Sequence, residues 1–127
     1  MRPAAGAGSP AMNGVSIEPL ELLTFFEAEP QSEEPEVPWY YGSHTYQTRV
    51  GDHHISFGLL PAHGDVSLTI RHQDRDLYHL VALSVRDIRY RRDGAVETLE
   101  IILSERDRVF LRLRPDVVIT QDASGLG

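Results

Sequence analysis

Six histidines, His44, His53, His54, His63, His72 and His79, are the side chains best suited to metal or acid–base chemistry in this sequence. Their spacing decides whether they can act together. His53 and His54 are adjacent, so in an extended strand they point to opposite faces and cannot share one ion. The chain holds no His-x-x-x-His pair that a helix would align and no His-x-His pair that a strand would align. Asp52, His63 and Asp65 could meet at the mouths of neighbouring turns, but nothing in their spacing requires it. No metal and no other cofactor is therefore expected.

Nucleophilic and carboxylate chemistry find no better support. A serine hydrolase presents its nucleophile on a sharp turn with a base nearby. Ser43, Ser56, Ser67, Ser84 and Ser104 fall in strands or ordinary turns, and there is no Gly-x-Ser-x-Gly. Glu97 and Glu100 differ in strand parity and face opposite ways, so they do not form a glycosidase pair. No glycine-rich loop follows a strand and opens a helix to cradle a phosphate. The sequence is read as that of a protein without catalytic residues.

The densest chemistry is of another kind. Trp39, the single tryptophan, stands beside Tyr40 and Tyr41 directly after a run of acids that includes Glu29, Glu33, Glu34 and Glu36. Trp and Tyr combine a large apolar surface with a polar tip, which suits them to the centres of protein interfaces. An aromatic anchor beside an acidic rim fits a basic protein partner. The competing expectation, which we favour for Trp39 itself, is that it and one tyrosine plug the end of the core where the acidic segment joins it.

The charge distribution points the same way. The formal net charge is −7, and all twelve basic residues are arginine, a usage that a GC-rich coding genome explains. Residues 1–38 carry seven glutamates against one arginine, whereas residues 39–127 carry eleven arginines against twelve acids. Nucleic-acid binding draws its affinity from excess positive charge, which this chain lacks, so a nucleic-acid partner is not expected. The arginines at 86, 89, 91, 92, 106, 108, 112 and 114 sit among Asp87, Asp93, Glu97, Glu100 and Glu105 and should form a solvated sheet face laced by cross-strand pairs.

The elements that position these residues follow from periodicity. With 127 residues and 41% apolar composition the chain suffices for one modest core. No apolar run approaches the roughly 20 residues of a membrane helix, and no secretion signal or disulfide is read from a cysteine-free sequence, so a cytoplasmic protein is the default. Residues 1–14 offer almost nothing to bury and are expected to be a disordered tail, as are residues 123–127. Residues 15–122 should form one domain. Within it, residues 16–28 read as a short helix with Ser16 as N-cap and with Leu20, Leu23 and Phe26 on its buried stripe, widened by Leu22 and Phe25. Residues 29–38, with their prolines and glutamates, read as an extended, solvated linker.

From Ser43 the period changes to two. Strands are expected over His44–Val50, His53–Leu60, Val66–Arg71 and Leu77–Val85, the last apolar on both faces and so placed centrally. A bulge or bend near Val85–Asp87 should reset the faces, and Asp93-Gly94 should turn a hairpin. Strands carrying Leu99, Ile101 and Leu103, then Val109, Leu111 and Leu113, then Val117–Thr120 complete the chain. The fold class is mainly β: an antiparallel meander of seven or eight strands forming a sandwich or an open barrel, behind one short N-terminal helix. Functionally, the residues point to a binding module, most concretely a bacterial immunity-type inhibitor that neutralises a basic toxin or effector domain. Two alternatives are a small β-barrel that binds a ligand or sugar, with or without hydrolytic activity, using His53, His63 and Asp65 at turn mouths, and a structural subunit of a phage or secretion apparatus.

Overall fold

In the computed structural model, which describes residues 14–123, nine strands form two antiparallel sheets behind one short α-helix. The first sheet runs β1 (Gln31–Ser32), β2 (His44–Val50), β3 (His53–Leu60), β4 (Asp65–His72) and β5 (Arg75–Ala82), each paired with the next. The second runs β6 (Asp87–Asp93), β7 (Val96–Ile102), β8 (Arg108–Arg112) and β9 (Val118–Asp122) in the same sequential order. The expected tails lie, apart from Gly14 and Ala123, outside the described residues.

The alternation that marked the strands also fixes what they bury. Ile55, Phe57 and Leu59 of β3 and Val66, Leu68 and Ile70 of β4 point into the same core as Ile88 of β6, Leu99 and Ile101 of β7, and Val109 and Leu111 of β8. Two sheets thus share one apolar layer, and neither closes on itself, so the sandwich alternative is the one realised over the barrel. The hairpins are tight. Gly51 and Gly94 take φ of 59° and 63° in the β2–β3 and β6–β7 turns, a region that glycine enters without a Cβ clash.

The bend expected near Val85–Asp87 is the crossing between the sheets. Ser84 adopts φ 54°, its amide donates to Asp65 Oδ1 at 3.0 Å, and the Val85 amide donates to the Gly64 carbonyl at 2.9 Å. The chain therefore leaves the first sheet with its polar backbone groups held. Leu77–Val85, expected to be a central strand, is corrected: β5 is an edge strand, with Leu77 and Val81 55% and 61% exposed and Leu83, just past its end, 73% exposed. Only Tyr78, Leu80 and Ala82 lean on the core. Periodicity cannot distinguish a strand buried on both faces from an edge strand that carries apolar residues outward. A register shift opposite Ile70/Arg71 and the Arg71–Asp76 ion pair at 2.9 Å blunt the first part of this edge.

The helix is also shorter and differently oriented than its sequence implied. α1 spans Pro19–Phe26, with Glu18 as N-cap and a Glu18 amide that donates to Glu21 Oε1 at 3.0 Å. Ser16 does not cap it. Its amide and hydroxyl bind Asp87 at 2.8–2.9 Å, stapling the N-terminal segment to the start of β6. Leu22, Phe25 and Phe26 are the fully buried face, whereas Leu20 is 69% exposed. The reason is the tertiary target: Phe26 stacks on Tyr46 and Phe57 of the first sheet, and Phe25 meets Tyr90 of the second edge-on. Arg114 fastens the other end, donating to the Phe25 carbonyl at 2.6 Å while pairing with Glu27 and Glu97.

Candidate functional site

The acidic, aromatic stretch between α1 and β2 is built from a linker that is only partly free. Residues 29–38 were expected to be solvated throughout. Instead Gln31 and Ser32 pair with Thr45 and His44, adding β1 to the sheet edge. The Glu33 amide continues the contact by donating to the Ser43 carbonyl at 3.1 Å. Pro35 and Pro38, which lack an N–H, keep the ladder from extending further. Glu29, Glu33, Glu34 and Glu36 are all exposed. None of the four enters an ion pair among the described residues, which leaves their charge available to a partner.

Trp39–Tyr41 form one 3₁₀ turn, closed by the Tyr41 amide on the Pro38 carbonyl at 2.9 Å and the Gly42 amide on the Trp39 carbonyl at 3.1 Å. The turn is anchored by His44, which is buried between two partners. His44 Nε2 lies 2.7 Å from the Trp39 carbonyl, which can only accept, so Nε2 carries a proton. In the neutral ring Nδ1 then accepts from the Ser32 hydroxyl at 2.6 Å. The imidazole lies flat against the indole, 5.1 Å between ring centres with 10° between planes. Trp39 Nε1 donates to the Tyr46 hydroxyl at 3.3 Å. Burial pushes the Tyr46 phenol above its ordinary pKa of 10.0, with the Trp39 hydrogen bond acting against that rise.

The three aromatics consequently divide the two readings between them. Trp39 is half-buried and packs on the core, Tyr40 is half-buried with its hydroxyl against Gly14, and Tyr41 stands 68% exposed. Trp39→Ala should lower stability by about 2 kcal/mol, through lost stacking and a freed Tyr46 hydroxyl. Tyr41→Ala should leave the unfolding free energy from urea titration within about 0.5 kcal/mol of the parent. Equal losses for the two would show that Tyr41 is also structural.

The residues that would serve a ligand-binding or hydrolytic barrel do not converge. His53 and Asp65 lie near opposite ends of the β3–β4 pair, where the partners run from His53↔His72 to Leu60↔Asp65. That is roughly 23 Å at the rise of an extended strand. His63 is in the turn beyond Leu60, while His53 lines a separate cavity of about 250 Å³ with His72 and Val117. Glu97 and Glu100 face opposite ways, as their parity implied: Tyr90 donates to Glu97 on the inner side, and Arg91 and Arg108 hold Glu100 on the outer. No group of three or more His, Cys, Asp or Glu placed to hold a metal occurs among the described residues.

The arginine face follows expectation only in part: Arg112 is half-buried with its Nε unpartnered among the described residues, and Arg114 turns to the helix and to Glu97 on the inner side. Arg86–Glu105, Arg89–Asp87, Arg91–Glu100, Arg108–Glu100 and Arg114–Glu97 pair. Glu100, however, is not solvated: it is fully buried beneath Arg91 and Arg108, each at 2.6 Å. Sequence parity located it on the outer face, and only the long arginine stems laid across it exclude water.

No family model and no curated protein matches the chain. Among solved structures it is similar in fold to a chain of a contact-dependent growth inhibition toxin–immunity protein complex from Klebsiella pneumoniae 342, with a TM-score of 0.70 and 21% identity. The match covers 87% of this chain and 97% of the other. No helix of the described residues is long and apolar enough to cross a membrane. The overall fold is thus similar to that of a chain found in a toxin–immunity complex.

Proposed function

We propose that this chain is a non-enzymatic, cytoplasmic protein-binding module of the immunity type, which neutralises a basic toxin or effector domain by covering its functional surface. The observation that carries the reading is the likeness in fold, over 87% of this chain, to a chain from a toxin–immunity complex. The unpaired acids Glu29, Glu33, Glu34 and Glu36, beside Trp39, Tyr40 and the exposed Tyr41, support a basic partner. Charges of this kind act chiefly on the rate of encounter.

The test is affinity purification of the full chain from its native host to identify the toxin or effector domain it captures, then co-expression with that domain scored as growth rescue, followed by association kinetics on the purified pair. Rescue is expected, with an on-rate that falls as salt shortens the screening length. The triple variant Glu33→Lys/Glu34→Lys/Glu36→Lys should slow association by about ten-fold at low salt and leave the melting temperature unchanged. Growth arrest despite full expression, with no complex on gel filtration, would exclude the reading.

A further inference from the structure

The register of the first sheet places one row of residues, Thr45, Gly58, Ser67 and Val81, side by side on the outer face of β2–β5. The same pairings set Leu60 opposite Asp65, with Leu83 beyond Val81 on the same parity. Small side chains in the middle and large apolar ones at the border form a groove of about 340 Å³. Leu60, Val81 and Leu83 are 39%, 61% and 73% exposed along it. Isolated exposed aliphatics are ordinary on a protein surface, but three around one concavity are not. Gly58 forms the floor: a Cβ there would come within 2.6 Å of Ser67 Oγ.

We infer that this groove is a docking site for a basic segment of the toxin-type partner, one that inserts an aliphatic or aromatic side chain between Leu60, Val81 and Leu83 and sets arginine or lysine against the rim. The inference rests on the immunity-type reading above. Charge argues for that occupant. Asp65 lines the groove, and Glu33 is tied by its amide to Ser43 at the border. A second copy of this chain would bring those carboxylates against their own kind, with a formal net charge of −7 on each protomer. A cationic segment is attracted by the same groups. The groove also adjoins the acidic, aromatic stretch, because Ser43 and His44 line it and Trp39 stacks on His44. One partner can therefore engage both.

The experiment uses the full chain and the purified toxin domain of the rescue assay, with dissociation constants from calorimetry. Val81→Glu, Leu83→Glu and Gly58→Val are each expected to weaken binding by about 10- to 100-fold, mostly by faster dissociation. Gly58→Val fills the floor with a residue that favours strands, and Ser67 can rotate its hydroxyl away, so its melting temperature should not fall. Leu77→Glu, exposed on the same strand but outside the groove, should bind within about two-fold of the parent. If the groove variants bind like the parent while Glu33→Lys/Glu34→Lys/Glu36→Lys does not, the groove is overturned and the immunity-type reading stands. If the parent binds no toxin domain, both fall. A parent that sediments as a dimer and becomes monomeric as Val81→Glu assigns the groove to a second copy and overturns the proposal.

Discussion

Phe26→Ala is expected to lower unfolding stability by about 3–5 kcal/mol, the range for deleting a fully buried aromatic, and to release α1 from the sandwich. An eight-residue helix is far below the length at which helices persist alone in water. It exists because its buried face is matched by the sheets. Phe26 carries most of that match, with ring centres 5.5 Å from Tyr46 and 5.3 Å from Phe57 in stacked geometry, while Phe25 reaches Tyr90 on the other sheet. Truncation leaves a cavity between rings that are themselves pinned by strand pairing and cannot close over it. The measurement is urea unfolding at constant m-value together with hydrogen exchange over residues 19–26. The helix amides should lose protection before the strand amides of β3. A loss below about 1 kcal/mol with the helix still protected would show that Phe25 and Leu22 hold it without Phe26.

Glu100→Ala should lower stability by about 1–3 kcal/mol. Removing one partner from a buried ion pair ordinarily costs about 3–5 kcal/mol, because the other charge stays buried and unpaired. Here the carboxylate is fully buried, but Arg91 and Arg108 retain 55% and 40% of their side-chain exposure. Both guanidiniums can turn back to water, which lowers the cost. Glu100→Met tests the origin of the effect. It fills the same space between Thr98 and Ile102 on the strand and lets the arginines resolvate, so it should cost less than alanine. If methionine costs as much as alanine, the charge pairing and not the filled volume dominates. Because Glu100 links β6 to β8 through two arginines, Arg91→Ala and Arg108→Ala should be non-additive in a double-mutant cycle.

Most of the sheet structure was legible because a half-buried strand writes its burial into the sequence with a period of two. His44–Val50 and His53–Leu60 have the bounds expected of them, and the core faces of β3, β4, β7 and β8 are those the alternation marked. The Asp93-Gly94 turn was equally plain, since few residues but glycine enter that backbone region freely. The acidic run and the aromatics after it were also visible, being compositional facts.

Other features needed the tertiary structure, because they depend on what lies across space and not along the chain. Leu77–Val85 reads as central on composition, yet which strand ends a sheet is decided by pairing, and β5 has no neighbour beyond it among the described residues. Ser16 had the chemistry of a helix cap and was drawn instead to Asp87, 71 positions away. The buried stripe of α1 turned from Leu20 to Leu22 because two sheets, and not the helix alone, define the cleft it fills. Gly58, Val81 and Leu83 are unremarkable until register sets them beside one another. The sequence alone determined most of the strands from His44 onward, their inner faces, the sharpest turn and the acidic lead-in, all consequences of local sterics and alternation, but not the short strand Gln31–Ser32. The sheet edges, the orientation of the helix, the burial of Glu100 and the outer groove were decided by tertiary packing, since each requires groups far apart in the chain to exclude water together.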